Sequence, residues 1–227
     1  MSTARDAVLG RVRTALQRTP EAQVAAEDAV SRRLGEHPSN LVPERGRRDR
    51  EGQVSLFTEM ASAVMADVRR LDDLSEVPAA ISRYLRDHNL PQKVVMAPEP
   101  LLDRAGFDSQ PLLRVRRGTA VDEDATGVTV AVTAVAETGT LVLASAPERP
   151  TMLAYLPPTC IVVLPAARIE GTYEDAWGHI RGLPGGVPRS VNFVTGPSRT
   201  ADIAQKLELG AHGPMRLLIL IVDGSTS

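Results

Sequence analysis

The sequence predicts an α/β fold. Strand-length apolar runs alternate with segments of helical periodicity through most of the chain. Two of those runs, 161–164 and 217–222, are unbroken by polar residues and bounded by turn signals, as buried strands are. A length of 227 residues with 43% apolar composition suffices for one large domain and an appendage. The appendage is read as a helical extension with an Arg-rich loop over 1–52, followed by an α/β domain over 53–227.

The elements follow in order. Thr3 caps a first helix that carries Val8, Val12, Ala15 and Leu16 on one face. Thr19-Pro20-Glu21 combines a capping hydroxyl, a proline at the first helical position and an acid. It opens a second helix with Ala22, Ala26, Val30 and Leu34, ending at Gly35. Residues 36–52 break the pattern with Pro38, Pro43, Gly46 and Gly52, and gather Arg45, Arg47, Arg48 and Arg50. Such a charge run is read as a solvated connection, with a docking arm for an acidic partner as the sharper alternative. A helix with Leu56, Met60 and Ala63 leads to a short apolar run at 64–68. Ser75 opens a helix with Ile81, Tyr84, Leu85 and His88 at helical spacing. Strands are expected at 94–96, 112–115, 128–136, 141–143 and 161–164, a helix at 172–181, and strands at 191–195 and 217–222.

Composition excludes several classes. The formal charge is −2 and aromatic residues make up 3%, which suits neither a polyanionic partner nor a base-stacking platform. The 24 arginines and two lysines, Lys93 and Lys206, fit a GC-rich coding genome better than a nucleic-acid surface. A single cysteine, Cys160, rules out an intrachain disulfide and a four-thiolate cluster built by this chain alone. The four histidines are scattered without metal-ligand spacing, and neither a phosphate-binding P-loop nor a dinucleotide fingerprint occurs. The first residues carry no apolar leader and no run approaches a membrane span, so a cytoplasmic protein is expected.

Two constellations could carry chemistry. In the first, Glu137-Thr138-Gly139-Thr140 interrupts an apolar stretch with an acid, two hydroxyls and a glycine. A carboxylate fixed beside glycine-exposed amides could be a general base or a nucleophile, whereas a plain turn would leave it solvated at the tip. The second spans 196–214. A strand ending at Thr195 runs into Gly196-Pro197-Ser198-Arg199-Thr200, then a short helix that begins near Asp202, then a bend holding His212. Arg199 and free helix-start amides would suit a carboxylate or phosphate; Ser198 and Thr200 could equally be helix caps. Ser198, Asp202 and His212 also follow a serine-hydrolase order, but Thr200 stands where the nucleophile elbow needs glycine.

Together, Ala136-Glu137-Thr138-Gly139-Thr140-Leu141-Val142-Leu143, Gly196-Pro197-Ser198-Arg199-Thr200-Ala201-Asp202-Ile203 and Leu209-Gly210-Ala211-His212-Gly213-Pro214 resemble the LUD-domain family, and within it the lactate utilization protein C, or YkgG, type. The likeness is strong over 50–224 and weak over the first fifty residues. It implies a three-layer α/β/α sandwich similar to the ribose-5-phosphate isomerase, glucosamine-6-phosphate deaminase and CoA-transferase group. It also implies a three-protein system that oxidises L-lactate to pyruvate. Iron–sulfur clusters are then expected on the partner proteins, and no cofactor on this chain alone. By analogy with CoA-transferases, the resemblance implies that Glu137 corresponds to their nucleophilic acid.

The expected site therefore has Glu137 as the catalytic group. Thr138, Gly139, Thr140, Gly196, Ser198, Arg199, Thr200, Asp202 and His212 line a place for a small anionic ligand, with no metal. Two alternatives stand beside it: a non-catalytic assembly subunit, and an acyl-CoA or sugar-phosphate enzyme of the same wider fold group.

Overall fold

The computed structural model describes residues 3–16, 19–201, 207–209 and 213–224. The chain divides into two compact units, Met1–Leu41 and Val42–Ser227.

The first unit contains α1 (Ala4–Ala15) and α2 (Pro20–Glu36). Thr3 and Asp6 form a reciprocal capping box at the start of α1. Thr19 caps α2, which carries proline in its first turn and stops at His37 in a left-handed conformation, φ 45°. Both helices thus start where their capping signals place them.

The second unit opens with a short 3₁₀ turn at Glu44–Gly46 and α3 (Arg50–Ala63), capped by Asp49. After it come β1 (Asp67–Leu71), α4 (Val77–Asp87), β2 (Lys93–Met96), α5 (Pro100–Asp103), β3 (Arg114–Arg117) and β4 (Thr126–Val130). Next are β5 (Thr133–Val135), β6 (Thr140–Ala144), β7 (Thr159–Pro165), β8 (Ile169–Glu170), α6 (Tyr173–Arg181) and β9 (Val191–Val194). The last strands are β10 (Arg199–Ala201), β11 (Leu207–Leu209) and β12 (Arg216–Val222).

Six strands form one sheet in the order β1-β12-β7-β4-β2-β3, and every neighbouring pair is parallel. A parallel sheet is covered on both faces, which explains the unbroken apolar runs in β7 and β12. Alternate residues serve opposite cores. Ile161, Val163, Leu218 and Leu220 pack with Ile81 and Leu85 of α4. Cys160, Val162, Leu217, Ile219 and Ile221 pack with Phe57 and Ala61 of α3. Helices therefore cover both faces of the parallel sheet, giving an α/β fold.

A second sheet, β8-β5-β6-β9, is attached on the α3 side. Its inner face shares the core of Phe57 through Leu141, Ala134 and Ile169. Its outer face packs on Ala176 and Ile180 of α6 through Val135 and Val142. The single strand expected over 128–136 is thus two. β4 lies in the large sheet and β5 in the small one, and the chain changes sheets at Ala131 and Val132.

The expected turn over 198–200 needs correcting: residues 199–201 form β10, antiparallel to β11, with Arg199 opposite Leu209, while the start of the short helix expected near Asp202 lies outside the described residues. The reason lies at the base of this ribbon. Ser198 donates its backbone N–H to Pro214 O at 2.8 Å, which ties the two arms together as they leave the domain. Asp202 and His212 lie outside the described residues.

Candidate functional site

Glu137 sits in a 3₁₀ turn, Ala136–Thr138, between β5 and β6. It is not a solvated turn tip: the residue is 4% exposed. Gly139 closes the turn at φ 65°, and a Cβ there would fall 2.6 Å from the backbone carbon of Met60. The glycine therefore does two things. It supplies the left-handed conformation, and it lets the turn lie against the backbone of α3.

Three groups hold Glu137. Its backbone N–H donates to Gly171 O at 3.2 Å. Its Oε1 accepts from the Tyr173 N–H at 3.3 Å, the first amide of α6. A carboxylate there meets both an unpaired helix-start amide and the positive end of the helix dipole. The third group is Arg45, whose Nε lies 3.8 Å from Oε2. Arg45 comes from the Arg-rich segment expected to be a solvated connection. Its four arginines are exposed, as a solvated connection requires, but its backbone is anchored, because Gly46 is buried against Gly171 and Thr172. A Cβ on Gly46 would stand 2.5 Å from Thr172 Cγ2 and 2.7 Å from Gly171 O. Arg50 extends the same attachment by donating to Ile169 O. Backbone contact between 44–46 and 171–172 thus carries Arg45 to the carboxylate. Its side chain stays 54% exposed, so its charge faces outward as well as toward Glu137.

A chain of hydroxyls adjoins this turn. Thr138 Oγ1 lies 2.7 Å from Thr140 Oγ1. Both reach Tyr173 Oη, at 3.2 and 3.1 Å. Thr140 Oγ1 also lies 2.7 Å from Thr195 Oγ1. Through Thr195 the first motif touches the start of the second, since Gly196 follows directly. The second and third motifs meet in turn, because Ser198 bonds Pro214 and packs against Gly213. Arg199 is exposed on β10, and among the described residues no contact joins it to Glu137. Thr200 is paired with Glu208 in the ribbon.

The arrangement offers a buried carboxylate, a cation at its rim and a row of hydroxyls that can donate or accept. Arg45, Tyr173 and Thr195 were not among the residues expected from the motifs. Arg45 is 92 positions from Glu137 in the sequence, so no spacing rule links them. Cys160 is no nucleophile here, for burial pushes its thiol up to about 12.

Residues 54–222 match the family model described as the LUD domain. The chain belongs to the LUD-domain family. It is 32% identical over 155 residues to lactate utilization protein C of Geobacillus kaustophilus, covering 66% of this chain and 60% of that protein. It is 35% identical over 100 residues to lactate utilization protein C of Bacillus subtilis, covering 43% of this chain and 42% of that protein. The matched stretches thus span between about two fifths and three fifths of these relatives. Among solved structures, a DUF162-family protein from Deinococcus radiodurans has a TM-score of 0.58 at 19% identity, over 77% of this chain and 99% of that one. That likeness shows the fold. Among the described residues, no helix is long and apolar enough to cross a membrane.

Proposed function

We propose that this LUD-domain protein is a component of an L-lactate utilization system, acting in the cytoplasm with iron–sulfur partner proteins that carry the electrons. Its own part is to bind a small anionic ligand, the 2-hydroxy or 2-oxo acid, at the Glu137 turn. The observation that carries this reading is a carboxylate only 4% exposed that has a cation and hydroxyls at its side, in a chain similar to proteins named lactate utilization protein C. A buried charge is costly to keep unless it is paired or used.

The chemistry follows from the groups. Arg45, rather than Arg199 of the second motif, supplies positive charge at the rim for the ligand carboxylate. Glu137 accepts the hydrogen of the 2-hydroxyl, as base or as hydrogen-bond acceptor. Thr138 and Thr140, oriented by Tyr173 and Thr195, direct hydroxyls at the ligand oxygens. Gly196 and Ser198 continue the site from Thr195 toward the second and third motifs; Arg199, Thr200, Asp202 and His212 are assigned to ligand contact on their motifs alone, Asp202 and His212 lying outside the described residues.

Growth on L-lactate tests the reading. The gene is deleted from the source organism and restored as wild type or Glu137→Gln. Glutamine keeps an acceptor for the Tyr173 N–H and removes the charge. Wild type should restore growth and Glu137→Gln should not, with both proteins accumulating equally. Growth of the deletion strain, in the absence of a second gene copy, would remove the lactate role. Growth with Glu137→Gln would remove the site.

A further inference from the structure

A concave region lies away from the Glu137 turn. It is a cleft of about 600 Å³ between the turn after β6 and the loop that follows α6. Val132, Pro147, Leu183 and Pro184 give it apolar walls, and Arg168 and His179 reach it. None of its lining residues belongs to the hydroxyl chain or to the Glu137 contacts. The volume falls within the range of small-molecule pockets.

The arginines of this region differ. Arg149 is neutralised twice, by Glu99 at 2.6 Å and Glu148 at 3.1 Å. Among the described residues, Arg168 has no carboxylate within ion-pairing distance. Its guanidinium donates to Ala131 O from Nη1 at 3.1 Å, and its other N–H groups remain for a ligand. His179 is held by Glu170, with Nδ1 3.7 Å from Oε1. Desolvation pushes the Arg168 guanidinium below its usual range, against the opposing pull of Glu99. Arginine stays protonated regardless, so a half-buried cation with no carboxylate in direct contact among the described residues persists in the folded chain. An oxyanion entering the cleft would offset that cost and take a forked pair of N–H donors.

We propose that this cleft is a second binding site, which takes an organic anion by its carboxylate or phosphate head on Arg168 and its apolar body against Val132, Leu183 and Pro184. The site is separate from the proposed lactate site and does not depend on it.

Calorimetry on the full chain tests the proposal with three probes: benzoate, phenyl phosphate and inorganic phosphate. At least one organic anion should saturate at one per chain, and the stronger of the two identifies the head group. Arg168→Gln should weaken it at least tenfold, while Glu137→Gln leaves it unchanged. Failure of both organic anions to saturate would overturn the proposal. So would equal affinity in folded Arg168→Gln, or inorganic phosphate binding as tightly as either organic anion. A measurement on the wild type guards against a misfolded variant. The amide resonances of Gly185 and Gly186, which line the cleft, should shift on titration with the tighter probe; shifts confined to other regions would again overturn the site.

Discussion

The large parallel sheet and the small sheet both bury threonine, and they treat it in opposite ways. In the large sheet, Thr126 of β4 and Thr159 of β7 face each other in register, 1% and 0% exposed. Neither Oγ1 has a hydrogen-bond partner. In the small sheet Thr140 is equally buried, yet its Oγ1 contacts Thr138, Tyr173 and Thr195. Threonine in the first setting has the shape of a valine and carries an uncompensated hydroxyl. In the second it is the junction of a polar network. The large sheet supplies cohesion through apolar strands, and the small sheet holds oriented polar groups beside Glu137.

The comparison can be tested by substitution. The largest effect is expected at Gly139, where the small sheet's turn meets α3. Gly139→Ala adds a Cβ at positive φ and against the Met60 carbonyl carbon. It should cost roughly 2–5 kcal/mol, from backbone strain plus overpacking. The shift of the urea midpoint at unchanged slope measures it. A loss under about 1 kcal/mol would mean that the turn is not seated on α3.

Thr140→Val comes next. It keeps the shape and strips three hydroxyls of a shared partner. The expected cost is about 1–3 kcal/mol, the penalty for leaving buried polar groups unpaired. The same variant should impair growth on lactate if the network orients the ligand.

The smallest effect is expected for Thr159→Val in the large sheet. Removing an unpartnered hydroxyl should leave stability unchanged or raise it by up to about 1 kcal/mol. Equal losses for Thr140→Val and Thr159→Val in matched denaturation curves would erase the distinction between the two sheets.

Local signals sufficed for much of the fold. Thr3 and Thr19 start their helices as their side chains dictate, because a cap bonds amides two or three residues away. The runs at 161–164 and 217–222 are strands because no other element buries so short an apolar segment on all sides. The motif 137–140 is a structured turn, with glycine where a positive φ is needed. Local reasoning failed where the partner is remote in sequence. Arg199-Thr200-Ala201 has capping residues and acquires strand partners, Leu209, Glu208 and Leu207, farther along the chain. Arg45 looks like one of several solvated arginines until Gly46 is seen against Gly171.

The sequence by itself determined the α/β class and the helix starts, because propensity, capping and hydrophobic period act over a few residues. Only the tertiary structure decided that Glu137 is buried, that Arg45 stands beside it, and that Thr140, Tyr173 and Thr195 share hydroxyl contacts. Those facts depend on the meeting of 44–46, 136–140, 171–173 and 195, segments that only the packing of the small sheet against α3 and α6 brings within hydrogen-bonding reach.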